Sequence, residues 1–296
     1  MRTLAAQRPD DPAYFIDDRV LTWAGYDAAA DRLACVFVAL GLSPRERVAL
    51  WLPDGPAFHI AYQASERAGL SCLGLGARCG ERELAHLLDL AEITTLVTSA
   101  EVGGTDAAAL VATLRDRGTP IRHHLILAAD GFTEDAIEIE GAEAPLVAPS
   151  ALAERALPSH AISLYNTTSG TTGLPKIVVH DQLRWFHFHQ LALDVGELTP
   201  SDIFMSALPA PFGFGLWTAH FTPTLLGAPT VLIRRFDAES AIASLERHHV
   251  SVLAAVSTQF ILMLESGGFE TRKKLALRAL FTGGEAVPEK LSLIHI

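Results

Sequence analysis

The residues best suited to chemistry in this sequence lie between two apolar runs, in the order Thr167, Thr168, Ser169, Gly170, Thr171, Thr172, Gly173, Leu174, Pro175, Lys176. Five hydroxyls, two glycines and a lysine within ten residues suit a polyphosphate. Glycine lets the backbone N–H groups approach an anion, hydroxyls donate from several directions, and lysine adds a mobile positive charge. The chain has four lysines, so Lys176 stands out. The same composition also builds ordinary surface turns. It is not a Walker loop: Gly-x4-Gly-Lys-Ser/Thr is absent, and Ile177-Val-Val after the lysine favours a strand over the helix that a Walker loop opens.

The elements that must position this loop follow from the hydrophobic periodicity. Ala161–Tyr165 and Ile177–His180 read as its flanking strands, and a helix runs from about Gln182 to Leu193. Upstream, Ala13–Ile16 and Val20–Trp23 form a hairpin around Asp17-Asp-Arg19. Helices then alternate with short extended runs: Ala28–Leu40, Arg47–Leu52, Phe58–Ala68, Leu70–Leu75, Arg82–Leu90, Thr95–Thr98, Ala107–Arg117 and His124–Ala128. This alternation predicts βαβ units around a mostly parallel sheet. Asp130–Pro158 is acidic and weakly periodic, the expected linker. Downstream, strands at Asp202–Ala207, Thr230–Ile233, Val250–Val256 and Arg278–Thr282, with helices at Ala238–His248 and Thr258–Glu265, make a second α/β unit.

Thr168-Ser-Gly-Thr-Thr-Gly-Leu-Pro-Lys176 resembles the signature of the AMP-forming adenylating superfamily, which holds acyl- and aryl-CoA synthetases, peptide-synthetase adenylation domains and beetle luciferases. Ile177 departs from it, since the family usually has glycine there. Further resemblance lies in Leu21–Leu33, Arg47–Pro53 and Glu81–Leu88, which carry fold. Two later strings carry chemistry: Ala207-Leu-Pro-Ala-Pro-Phe-Gly-Phe-Gly215, where Phe212 takes a slot that often holds histidine in CoA ligases, and Thr282-Gly-Gly-Glu-Ala-Val-Pro288.

The resemblance implies an α/β fold of two stacked α/β subdomains from the large N-terminal domain of adenylate-forming enzymes, at 1–158 and 159–290. The second is expected to be truncated and the small C-terminal domain absent. It also implies phosphate binding by Thr168, Ser169, Gly170, Thr171, Thr172, Gly173 and Lys176. Phe212, Gly213, Phe214, Gly283, Gly284 and Glu285 are expected to line an acyl and adenine pocket. The activity implied is ATP-dependent activation of a small carboxylic acid with Mg²⁺, followed by transfer to CoA or, alternatively, to a carrier protein. The family's magnesium-holding glutamate, ribose-binding aspartate and adenylation lysine are expected beyond Ile296, so no catalytic residue is assigned. The chain alone is expected to be inactive, or to be a nucleotide-binding half without turnover. Leu291–Ile296 leaves the family pattern and back-translates as CTG TCT CTT ATA CAC ATC, like a transposon-derived sequencing adapter, so residues 291–296 are expected to be non-native.

Composition narrows the partners. A net charge of −11 with no Lys/Arg-rich run argues against a nucleic-acid footprint or polybasic membrane patch. No export signal is visible. The most apolar segment, Val250–Leu264, falls short of the roughly 20 residues that span a bilayer, so a cytoplasmic protein is expected. Cys35, Cys72 and Cys79 lack paired spacing and read as reduced, mostly buried thiols. His187 and His189 lie two apart on a predicted helix and so point to different sides, which argues against a shared metal. The pairs His123-His124 and His248-His249 read as solvated.

Overall fold

The computed structural model describes residues 1–128, 137–168, 173–269 and 275–287. The chain divides into two compact units, one of residues 24–187 and one of residues 1–23 with 188–296.

In the 24–187 unit the described strands form an eight-stranded sheet. Arg47–Trp51, Ser71–Leu75, Thr95–Ser99 and His123–Leu127 are parallel and central, and Ser71–Leu75 and Thr95–Ser99 are buried at every position. Strands covered on both faces read as continuous apolar runs. Ile162–Thr167 joins in parallel beside Ser71–Leu75, with Leu164 opposite Cys72 and Tyr165 opposite Leu73. Ile177–Asp181 pairs antiparallel with it and closes that edge.

The helix Glu81–Leu90 covers one face. Its Leu84, Leu87 and Leu88, at helical spacing, pack with Leu96, Val111 and Leu114 in one core. Glu81 and Glu83 in its first turn complement the N-terminal dipole, and the Glu83 carboxylate lies 3.4 Å from the Gly80 N–H. Tyr165 and Ile177, on the loop's two flanking strands, pack against this same cluster.

In the other unit the described strands form a six-stranded sheet. Ala279–Phe281, Val252–Ala254, Phe204–Ser206, Thr230–Leu232 and Pro12–Ile16 run parallel, and Arg19–Thr22 returns antiparallel at the edge. The helix Ala238–Arg247, capped by Asp237 on the Ser240 N–H at 2.9 Å, buries Ala241, Ile242 and Leu245 against Met205, Leu253 and Met263.

The mixed α/β architecture is the one expected, but the grouping differs from a division at 158. The opening hairpin pairs with Thr230–Leu232 rather than with the strands that follow it. The strands flanking the loop extend the sheet that precedes them. Both pairings are long-range contacts, which alternation along the chain does not encode.

The described residues of the expected linker make defined contacts. Ile137–Ile139 pairs with His123–Leu127 and with Ala142–Glu143. Arg155 donates to the Ala68 carbonyl at 2.7 Å, and its own carbonyl would lie 2.0 Å from a Cβ on Gly69, whose φ is +70°. Only glycine fits there. Residues 291–296 lie outside the described residues. Among those described, no helix is long and apolar enough to cross a membrane.

Candidate functional site: a phosphate loop and an aromatic floor

The loop stands on a hairpin whose register runs from Ile162 opposite Asp181 to Thr167 opposite Ile177. Above the last pair the neck is closed reciprocally. The Thr168 N–H donates to the Lys176 carbonyl at 2.9 Å, and the Lys176 N–H donates to Thr168 Oγ1 at 3.0 Å. One threonine thus holds both strands of the neck. Pro175 is buried while Lys176 is exposed beside it.

Gly173 has a φ of +148°, and a Cβ added there would meet no atom within 4 Å, so conformation rather than crowding calls for glycine. His86, on the helix Glu81–Leu90, places Nε2 3.1 Å from the Pro175 carbonyl. Ser169, Gly170, Thr171 and Thr172 lie outside the described residues.

The second set of residues belongs to the unit with the six-stranded sheet. The strand Phe204–Ser206 ends at Ala207, whose N–H donates to the Ala254 carbonyl at 2.8 Å and whose carbonyl accepts from Gln259 Nε2 at 2.6 Å. The chain then turns through Pro209-Ala-Pro and starts a helix at Gly213–Leu216. That helix continues through a π-helical turn, Trp217–Phe221, to Thr222–Leu226. Sequence periodicity does not mark this helix, because glycines open it and Pro223 lies inside it. Gly215 decides its approach: a Cβ there would lie 2.2 Å from the Pro209 carbonyl oxygen.

Phe214 stacks on Trp217 with centroids 5.9 Å apart, and Trp217 meets Phe281 edge-on at 5.7 Å. A Cβ on Gly283 would stand 3.7 Å from Phe214 Cε1, so the Gly-Gly-Glu turn passes beside the Phe-Gly-Phe motif. Phe212 is 41% exposed. Trp217, Phe204, Phe281, Val252, Thr218 and Thr222 border a cavity of about 10 Å³, room for roughly one water.

Gly284 has a φ of +83°, which carries the turn to Glu285. The Glu285 carboxylate accepts from the Thr258 N–H at 2.8 Å and from Thr258 Oγ1 at 3.2 Å, capping the helix Ser257–Glu265. Glu285 therefore serves the local structure of its turn, a role its place in the motif does not reveal.

The histidines divide by burial. His189 is buried with Nδ1 3.4 Å from Thr222 Oγ1, while His187 is exposed, which agrees with their pointing apart. His124 corrects the expectation of a solvated residue. It is buried, bonded to Thr98 Oγ1 at 2.8 Å, and pushed down to about 4 by burial and then by Arg115. His220 is buried with Nδ1 3.4 Å from Tyr14 OH, and burial pushes it down to about 3. Both ride on strands or helices whose inward faces are set by tertiary packing. Cys35 and Cys72 are buried and Cys79 is half-buried, all three as free thiols.

A family model described as AMP-binding enzyme matches residues 1–293. The chain belongs to the AMP-binding enzyme family. Among its relatives, the chain is 28% identical over 288 residues to the Mycobacterium tuberculosis 3-[(3aS,4S,7aS)-7a-methyl-1,5-dioxo-octahydro-1H-inden-4-yl]propanoyl:CoA ligase, covering 96% of this chain and 56% of that protein. It is 31% identical over 274 residues to the M. tuberculosis salicyl-AMP ligase / salicyl-S-ArCP synthetase, covering 89% and 46%.

The chain thus spans about half the length of these AMP-binding relatives. The fold matches that of the Bacillus subtilis O-succinylbenzoate coenzyme A synthetase, solved with ATP and a magnesium ion, with a TM-score of 0.78 at 23% identity over 98% of this chain and 55% of that one.

Proposed function

We propose that this chain carries the ATP-phosphate grip and part of the acid-binding region of an enzyme that activates a carboxylic acid as its acyl-adenylate and passes the acyl group to a thiol. The observation that carries this reading is the closed neck at Thr168 and Lys176, which presents a hydroxyl- and glycine-rich loop beside a lysine in a chain of the AMP-binding enzyme family. In the first step a carboxylate oxygen attacks the α-phosphorus of ATP, and the bond to the β-phosphate oxygen breaks to release pyrophosphate. In the second, a thiol sulfur attacks the acyl carbon, AMP departs, and the thiol proton passes to solvent.

Backbone N–H groups and hydroxyls from Thr168 through Gly173, with the Lys176 ammonium, hold the β- and γ-phosphates and offset the charge that grows on the leaving pyrophosphate. This is a positioning and electrostatic role. Mg²⁺ would be carried by the nucleotide's own phosphates and would offset part of their charge. Among the described residues no group of three His, Cys, Asp or Glu could hold a metal ion.

The aromatic floor of Phe214, Trp217 and Phe281, with the exposed Phe212 preceding its helix, suits a compact, ring-bearing, uncharged acyl group. The names of the two ligase relatives, one for a fused-ring propanoate and one for salicylate, support that class. CoA is the favoured acceptor and a carrier protein the alternative, each represented by one of those relatives.

Calorimetry tests the grip: Lys176→Ala is expected to weaken MgATP binding about tenfold, and an unchanged affinity would overturn the assignment. Incubation with ATP, a set of aryl and alicyclic acids, and either CoA or an aryl carrier protein, read by mass spectrometry, reports the acceptor. MgATP binding without ATP–pyrophosphate exchange would instead support a nucleotide-binding half that does not turn over.

A further inference from the structure

We propose that His86 is a positioning residue for the phosphate loop, setting the direction of Lys176 through the Pro175 carbonyl; the proposal rests on the phosphate-grip reading. The neck has two peptide groups tied across the hairpin by Thr168, at the Lys176 N–H and the Lys176 carbonyl. The Pro175 carbonyl, one residue earlier, is met from outside the hairpin by His86 Nε2 at 3.1 Å. A carbonyl can only accept, so the imidazole presents Nε2–H to it. Proline itself brings no N–H to this part of the chain, and Pro175 is buried, so an unpartnered carbonyl there would carry a desolvation cost.

The donor comes from a rigid support. His86 sits in the middle of Glu81–Leu90, whose Leu84, Leu87 and Leu88 are locked in the core that also receives Tyr165 and Ile177 from the loop's two strands. Apolar packing thus fixes the hairpin's stem to this helix, and the single polar tie from His86 extends that grip past the stem to the peptide group directly before Lys176. Freed from it, the neck keeps, among the described residues, the two bonds between Lys176 and Thr168, which close it without aiming it at the helix side. Three fixed points define an orientation where two define only an axis.

The test uses the 296-residue chain in three forms: unaltered, His86→Ala, and His86→Gln, whose amide retains a donor. Digestion with Lys-C, which cuts after lysine, reports the neck through cleavage after Lys176, with Lys273, Lys274 and Lys290 as references in the same digest. Calorimetry with MgATP and with AMP, which lacks the β- and γ-phosphates, separates the loop's contribution from the rest of the nucleotide site. In His86→Ala, cleavage after Lys176 is expected to rise about fivefold and MgATP affinity to fall about fivefold, as for loss of one hydrogen bond, with AMP affinity unchanged.

His86→Gln is expected to recover most of both effects. Unchanged cleavage in His86→Ala, equal weakening of MgATP and AMP, or a His86→Gln protein that behaves like His86→Ala would each overturn the proposal. An unaltered chain that binds no MgATP overturns the phosphate-grip reading instead, and the cleavage comparison then decides the His86 tie separately.

Discussion

The phosphate loop and the aromatic floor solve opposite problems. The loop is held at its neck by a few polar bonds from Thr168 and His86, and it leaves Lys176 exposed. The floor is held by contact, with Phe214 stacked on Trp217, Trp217 edge-on to Phe281, and Gly215 pressed on the Pro209 carbonyl. An anion is recognised by donors that stay available to it, and an apolar ring by surface already withdrawn from water. Substitutions in the floor should therefore register first as lost stability, and substitutions in the loop as lost ligand affinity.

Gly215→Ala is the strongest way to break this contrast. The new methyl would meet a backbone oxygen that cannot rotate away, so a loss of about 3 kcal/mol is expected in guanidinium denaturation. A loss below about 1 kcal/mol would mean that the helix start can shift and that the floor is softer than its packing indicates. In the loop the matching change, Gly173→Ala, meets open space and only an unfavourable φ, so about 1 kcal/mol is expected from the same measurement. Equal losses at the two glycines would erase the distinction between crowding and conformation.

Glu285→Gln sharpens the comparison at the floor's edge. It weakens a charged cap on Thr258 and should lower stability by about 1 kcal/mol, less at high salt, as followed by thermal denaturation. No salt dependence would count against the cap as an electrostatic device.

One buried group in each unit, Glu66 and His220, responds to pH with opposite sign. Glu66, whose Oε1 accepts from Gln182 Nε2 at 3.3 Å in the loop's unit, is pushed up to about 7 by burial. The unfolded chain releases that proton near 4.5, so the stability it contributes at low pH is lost as pH rises from 4.5 to 7. His220, in the floor's unit, is pushed down to about 3, so unfolding takes up a proton as pH falls below 6.5 and stability drops in that direction.

Glu66→Gln is accordingly expected to raise Tm by about 3 °C at pH 8 and to leave it unchanged at pH 4. His220→Gln should flatten the fall in Tm between pH 6.5 and pH 4.5. A uniform shift across pH in either variant would show that the titration of that group is not the cause.

Much of the secondary structure is legible along the chain. Glu81–Leu90, Ala107–Asp116 and Ala238–Arg247 have apolar residues at helical spacing and acidic or capping residues at their starts, and they fall within a residue or so of expectation. The helix beginning at Gly213 was not legible, because Gly-Phe-Gly and Pro223 are poor helix formers and tertiary contact with the Pro209 carbonyl and the aromatic cluster holds it. Burial of His124 and His220 was equally hidden: which face of a strand or helix turns inward depends on partners far away in sequence.

By itself the sequence determined the chemistry on offer: a hydroxyl- and glycine-rich loop ending in Lys176, an aromatic motif around Phe212 and Phe214, and a Gly-Gly-Glu turn, each between elements of readable type. Residue types and short spacings suffice for that, since donor capacity and φ preference are local properties. Only the tertiary structure decided that the loop's strands extend the preceding sheet, that Glu285 is spent on a helix cap, and that His86 reaches Pro175 across 89 positions. These depend on which apolar faces bury one another, and that choice is made by the folded chain as a whole.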